Sequence, residues 1–228
     1  IWMFLVEKNY EQALNNSIAL DRRTKTEENN ILSFAQSAYE INQYDIALKG
    51  LTYLETRKPE IPILADVKQE IVKVEYLKYI NTPAKIRVPN EILVNKFEST
   101  LNSLGYTSAT SNLIQLYAHY LSFYLGQPDK ANSVLEKGLQ IRDLNNLQRT
   151  LLRIEMADIQ VFDNKLWEAT LLYAQIIEAN RENSLGDEVK LKKAKLSYYL
   201  GDIEWARGQM DALKASTSKL IANDAMEL

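Results

Sequence analysis

The hydrophobic pattern between residues 31 and 59 predicts two short amphipathic helices joined by a tight turn. The apolar positions of the first helix recur at helical spacing at Ile31, Phe34, Ala35 and Ala38. The second helix repeats that spacing at Tyr44, Ala47, Leu48, Leu51 and Leu54. Asn42 between them tolerates the left-handed backbone that ends helices, and Pro59 disfavours helix at the residue before it. Neither helix can bury its apolar face alone, so we predict a hairpin that packs against further hairpins.

The same unit recurs along the chain around a small residue in its second helix. We call five residues the anchor alanines: Ala13, Ala47, Ala131, Ala169 and Ala206, at intervals of 34, 84, 38 and 37 residues. The residues five positions before them are Lys8, Asn42, Gly126, Asn164 and Gly201. Four of these are Gly or Asn, which end a helix at low steric cost, so we predict a turn before each anchor.

The long second interval has room for one irregular unit. Its pattern predicts one long helix over residues 61–80, a loop with prolines at positions 83 and 89, and a helix over Glu91–Leu104 that Gly105 ends. Four apolar residues of that last helix are predicted to face inward: Leu93, Phe97, Leu101 and Leu104.

Helix–turn–helix units of about 34 residues, with a small residue in the second helix, resemble the tetratricopeptide repeat (TPR) family. Ile31–Pro59 matches that pattern throughout, and Lys195–Leu213 matches it in its second half. His119 falls where the pattern expects a small residue, and a slip of one residue places Ala118 there instead. The resemblance implies an all-α fold, a right-handed superhelical solenoid of antiparallel helix hairpins.

The repeat pattern predicts a single TPR-like domain over residues 1–228. Its units are predicted near 1–25, 27–59, 61–105, 110–143, 145–181 and 184–217, with the start of another over 218–228. Because the first and last of these are incomplete, we expect the sequence to be part of a longer array.

The resemblance also implies a binding groove, because in TPR proteins the first helix of each unit lines the concave surface. Carried over to this chain, the groove positions include Gln36, Tyr39, Glu40, Gln115, His119, Ser122, Phe123, Asp158, Phe162, Lys195, Tyr198 and Tyr199. Thirteen tyrosines against five phenylalanines is a high ratio for a core alone, and tyrosine suits recognition. The alternative is that these rings only pack one unit against the next.

Composition narrows the chemistry that the chain can perform. It has 228 residues, a net charge of −3, no cysteine and one histidine. These counts exclude disulfides, zinc–thiolate sites, cysteine nucleophiles and multi-histidine metal sites. We predict that His119 is a half-buried side chain with a hydrogen-bond partner. Glu155 and Asp158 lie one helical turn apart, as paired catalytic carboxylates do, but that spacing is also typical of solvated faces, which we favour.

Charge patterning gives little support to nucleic-acid or membrane binding. The chain is net acidic without a long basic stripe, and no apolar run reaches the length of roughly 18 residues that spans a membrane. The densest basic run contains Lys190, Lys192, Lys193 and Lys195. It is predicted to be a solvated helix flank balanced by nearby acidic residues, and the alternative is a clamp for an acidic peptide.

Together these features predict a non-catalytic scaffold that binds a peptide or protein segment in its groove, with no cofactor. Two alternatives remain at this stage. One is a self-assembly module of a larger envelope-associated protein, associating through the incomplete end units, which would expose an apolar helix surface. LWEATLLYAQI and DALKASTSKLIANDAMEL resemble repeat proteins of Bacteroidetes, which are often envelope-associated, and this resemblance concerns location only. The other is an accessory domain of an enzyme, which would need a catalytic residue set that the sequence does not display.

Overall fold

The fold is all-α in the computed structural model, which describes residues 6–24, 29–57, 63–89, 91–181 and 183–216. Those residues form eleven α-helices of at least nine residues and no β-strand. The chain divides into two compact units, Ile1–Tyr106 and Thr107–Leu228. The first unit contains α1 (Tyr10–Thr24), α2 (Asn29–Glu40), α3 (Tyr44–Arg57), α4 (Leu64–Asn81) and α5 (Glu91–Leu104). The second contains α6 (Ser111–His119), α7 (Pro128–Leu139), α8 (Asn146–Phe162), α9 (Leu166–Ala179), α10 (Ser184–Tyr199) and α11 (Ile203–Ser216).

The hairpin of α2 and α3 forms the centre of the first unit, as its apolar spacing predicts. Its buried residues are Ile31, Phe34, Ala35, Ala38, Ile46, Ala47, Leu51 and Leu54, which join buried residues of α1 and α4 in one cluster. Asp21 at the end of α1 is also buried, and its carboxylate accepts the backbone N–H of Ile31 at 3.0 Å. That bond satisfies one of the amides that a helix N-terminus leaves unpaired. Pro59, predicted to end the second helix, lies outside the described residues.

The irregular part of the first unit contains the two helices that the sequence predicts. The described part of the long helix is α4, and α5 has the predicted bounds and ends before Gly105, whose φ is 79°. The rings of Tyr76 and Phe97 join α4 to α5 edge to face, with centroids 6.3 Å apart. Leu93, Phe97 and Leu101 are buried as expected, whereas Leu104 is only half-buried because it lies on the last turn, beside Gly105.

The loop between these helices is held by one arginine. The Arg87 guanidinium donates to the carbonyl oxygens of Ile80 at 2.5 Å and Thr82 at 2.8 Å. A cation at a helix C-terminus pairs with carbonyls that have no partner within the helix, and it also complements the helix dipole. A short 3₁₀ turn, Ala84–Ile86, lies inside the predicted loop.

The five predicted turns all adopt the left-handed conformation. The backbone φ angle is 58° at Lys8, 62° at Asn42, 64° at Gly126, 59° at Asn164 and 89° at Gly201. The residue after such a turn donates its N–H back to the preceding helix, as Gln43 does to the Ala38 carbonyl at 2.8 Å. This bond pairs a carbonyl that the helix end leaves open, so the turn ends one helix and starts the next.

The anchor alanines are buried where the sequence places them. Ala13, Ala47, Ala131 and Ala169 are 0% exposed and Ala206 is 1% exposed. The N–H of each donates to the carbonyl four residues earlier, so every anchor lies on the first turn of its helix. A methyl group there allows close helix packing, and the anchor positions predicted from the sequence are confirmed.

A π-helical turn over Tyr120–Tyr124 explains the irregular register at His119. Gln127 donates across the following turn to Leu121, six residues earlier, whereas Gln43 reaches back only five residues. The π turn therefore absorbs one extra residue, so Ala118 takes the buried small-residue position and His119 does not. The assignment of Ser122 to the groove was wrong, because its side chain is fully buried.

Candidate functional site

The groove positions predicted in the first unit lie at the end of α2. Gln36 is partly buried and Glu40 is exposed. The Tyr39 hydroxyl accepts a hydrogen bond from Lys73 Nζ at 2.9 Å, and the same nitrogen lies 4.9 Å from the centroid of the Tyr39 ring. This ring therefore packs between α2 and α4, as the alternative interpretation of the tyrosines expects.

Lys73 remains charged in that contact. Burial lowers the pKa of Lys73, but the Tyr39 hydrogen bond and the negative charge of Glu70 outweigh it and leave the pKa above its ordinary value of 10.5. The Lys73–Glu70 ion pair spans 3.2 Å. Because the ammonium carries its charge at neutral pH, the cation–π contact with Tyr39 persists there.

In the second unit a buried carboxylate contacts two of the predicted groove positions. Glu155 of α8 is only 6% exposed. Its Oε1 lies 2.8 Å from His119 Nδ1, and its Oε2 accepts from Gln115 Nε2 at 3.3 Å. His119 is therefore half-buried with a partner, as predicted. The expectation that Glu155 lies on a solvated face was wrong, because the end of α6 covers it and supplies these partners.

Asp158 lies one turn further along α8 and joins three helices. Its Oδ1 accepts from the Tyr173 hydroxyl of α9 at 2.5 Å, and its Oδ2 pairs with Lys192 of α10 at 2.5 Å. Burial and the charge of Asp158 raise the pKa of Tyr173 far above its ordinary value, so the phenol stays a donor. This predicted groove residue thus fixes the relative positions of α8, α9 and α10.

Four aromatic residues occupy matching positions next to the turns of the second unit. We call Phe123, Phe162, Tyr198 and Tyr199 the aromatic set; each lies two or three residues before Gly126, Asn164 or Gly201. Phe123 packs on Phe162 with ring centroids 4.9 Å apart, and Tyr198 meets Tyr199 at 5.7 Å. Phe162 is 51% exposed and Tyr199 is 76% exposed. Large rings in solvent beside a rigid polar network are suited to contact another protein.

The basic run of α10 is only partly neutralised. Lys190 pairs with Asp187 at 2.8 Å, and Lys192 pairs with Asp158. Lys193 and the predicted groove residue Lys195 are partly exposed, and neither forms an ion pair with any residue that the structure describes.

A second surface feature of this unit was missed at the sequence level. Trp167 on the first turn of α9 and Trp205 on the first turn of α11 are 81% and 66% exposed. They line one pocket of about 640 Å³, together with side chains of α10. The available signal was the position of each tryptophan one or two residues before an anchor alanine, next to a turn.

Metal centres and membrane spans are two further features that the described residues could contain. No three histidine, aspartate or glutamate side chains converge there as metal ligands would. No described helix combines the length and apolar character needed to cross a membrane.

Two solved structures that resemble this chain contain TPR-like repeats. One contains nearly identical TPR-like repeats of a kinesin light chain-like protein from Podosopora anserina; it has 14% sequence identity and a TM-score of 0.63, and the match covers 82% of this chain and 93% of that one. A single-substitution variant of the same protein has 14% identity and a TM-score of 0.64, with 88% and 96% covered. The chain has a TPR-like repeat fold. No family model matches the sequence, and no curated protein matches it significantly.

At this identity the likeness establishes the TPR-like fold alone. The fold agrees with the hairpins, left-handed turns and buried anchor alanines described above.

Proposed function

We propose that this chain is a non-catalytic scaffold that binds an extended or helical segment of another protein. The proposed contact surface in the second unit carries the aromatic set, with Gln115, His119, Asp158 and Lys195 on the same first helices. The observation that carries the proposal is the exposure of Phe162, Tyr198 and Tyr199 at matching turns of a TPR-like fold. In the first unit, Gln36 and Glu40 remain the proposed contacts, since Tyr39 packs against Lys73.

The physical basis is preorganisation. Tyrosine and phenylalanine offer large contact areas with few rotatable bonds, so little side-chain entropy is lost when a partner binds. The bonds of Glu155 and Asp158 hold the supporting helices in place. The rings that contact a partner are therefore held in their bound positions before it binds.

The experiment compares the parent chain with a double variant that combines Tyr198→Ala and Tyr199→Ala. It measures the amounts of the proteins that each captures from the source cell. Leu147→Ala is the matched control, because Leu147 is also exposed, at 58%, on another helix of the same unit. We expect the double variant to lose a defined set of captured proteins that the control retains, with unchanged helicity by circular dichroism. Purified members of that set should then bind the parent chain directly.

Identical capture by the parent and the double variant would remove the aromatic set from the proposal. The predicted alternative of self-assembly is distinguished by sedimentation of the purified chain. If the purified chain associates with increasing concentration and the double variant does not, the partner at the aromatic set is a second copy of this chain and not another protein. The resemblance to envelope-associated proteins of Bacteroidetes adds a proposed location only.

A further inference from the structure

The pocket between α9, α10 and α11 has features of a binding site separate from the proposed contact surface. Its walls come from the first turn of α9, the last turns of α10 and the turn into α11. Among the described residues that line it, none belongs to the aromatic set or to the other predicted groove positions. Its volume of about 640 Å³ is ample for one long side chain of a partner.

The two tryptophans are the first indication of a ligand. Tryptophan is highly buried on average, and burial of a large aromatic side chain makes a favourable contribution to folding. Trp167 and Trp205 forgo most of that contribution while lining the same pocket. The face of an indole ring is also the strongest cation–π acceptor among side chains.

The charges at the pocket are the second indication. Glu168 and Asp202 line it, and neither carboxylate forms a side-chain hydrogen bond or ion pair with the residues that the structure describes. Lys165 also lines it but is engaged by Asp163 at 2.6 Å and Asp129 at 3.7 Å.

Lys193 is the remaining cation of the described lining, and it has no described ion-pair partner. The lining thus contains two carboxylates and two indole side chains, against one ammonium without a described ion-pair partner. That balance favours a positively charged occupant.

We propose that this pocket binds a cationic side chain of a partner protein, arginine in preference to lysine. A guanidinium is planar and weakly hydrated, so it stacks on an indole face while its N–H groups pair with a carboxylate. An ammonium pairs with the carboxylate as a point charge but does not stack in this way. The pocket then contributes specificity for a basic position in the bound protein, apart from contacts with the aromatic set.

The test uses the full chain and short peptides of glycine and serine with arginine, lysine, citrulline or glutamate at the centre. The indole N–H signals of the three tryptophans are followed by nuclear magnetic resonance and assigned with single Trp→Phe variants. Arginine should shift the Trp167 and Trp205 signals and bind about tenfold more tightly than citrulline, which has the same shape without the charge. Lysine should fall between the two.

Variants then separate charge from shape. Glu168→Gln with Asp202→Asn should weaken arginine binding about tenfold. Glu204→Gln, which removes an exposed carboxylate from the same turn of α11 outside the pocket, should leave it unchanged. Lys193→Met should tighten arginine binding, because it removes a like charge.

Several results would overturn the proposal. Citrulline binding as tightly as arginine, or glutamate binding more tightly than arginine, would reject a cationic occupant. The absence of an indole shift at saturating arginine peptide would reject it as well. Weaker binding of the arginine peptide by Lys193→Met would contradict the repulsion assigned to the Lys193 charge and would also reject the proposal. Indole shifts that depend on protein concentration without peptide would identify a second copy as the occupant. Combining Tyr198→Ala with Tyr199→Ala should leave arginine binding intact, so this proposal and the proposed function fail separately.

Discussion

Gly186 provides the sharpest test of the packing between successive hairpins. It lies in the first turn of α10, beside the carbonyl group of Asn180 at the end of α9. A Cβ atom built on Gly186 would lie 2.0 Å from the Asn180 oxygen and 2.9 Å from its carbonyl carbon. These are backbone atoms, so no side-chain rotation relieves the overlap. Gly186→Ala must therefore displace one of the two helix ends.

The magnitude follows from two opposing effects. Overpacking of a close contact destabilises by about 1–3 kcal/mol, and a backbone overlap of this size belongs at the upper end. Alanine recovers at most about 1 kcal/mol through its better helix propensity. We expect a net loss of about 2 kcal/mol, which corresponds to a fall in melting temperature of about 4–8 °C for a chain of this length.

The measurement is thermal and urea denaturation followed by far-ultraviolet circular dichroism. Gly208→Ala is the matched control, because a Cβ atom at Gly208 meets no heavy atom within 4 Å. The control should gain about 0.5–1 kcal/mol from helix propensity alone. If Gly186→Ala melts as high as Gly208→Ala, the close approach of α10 to the Asn180 carbonyl is wrong.

Two further predictions test the anchors and the turns. Ala47→Leu and Ala206→Leu should each destabilise the chain by about 1–3 kcal/mol in the same denaturation assay, because the anchor methyl is buried against other helices; unchanged melts for both would reject the register. Asn42→Val should lose about 1–2 kcal/mol, because φ is 62° there and a β-branched residue is strained at that angle. Asn42→Gly should stay within about 0.5 kcal/mol of the parent, and equal stability of the valine and glycine variants would contradict the left-handed turn.

The hairpins could be predicted because their determinants are local. Glycine or asparagine at a fixed distance before a small residue specifies both the turn and the close approach that follows it. The turns predicted before Ala131, Ala169 and Ala206 directly precede α7, α9 and α11, which begin at Pro128, Leu166 and Ile203. Apolar spacing was sufficient for these elements.

The burial of Glu155 could not be predicted in the same way. A carboxylate on a helix is solvated or buried according to what faces it, and its partners Gln115 and His119 lie 40 and 36 residues earlier in the sequence. The pocket with Trp167 and Trp205 depends likewise on three helices meeting at one place. Helical periodicity describes one helix at a time and does not indicate which side chains of different helices come into contact.

The π-helical turn at Tyr120–Tyr124 affects how such chains can change in length. One additional residue is accommodated inside a single helix, while Gly126 still forms its left-handed turn and Ala131 is still buried. A single-residue insertion in a helix therefore need not interrupt the array, because a local widening of the helix restores the alignment before the next turn. A search that assumes a constant period would lose its alignment at this helix, although the three-dimensional stacking of the unit continues through it.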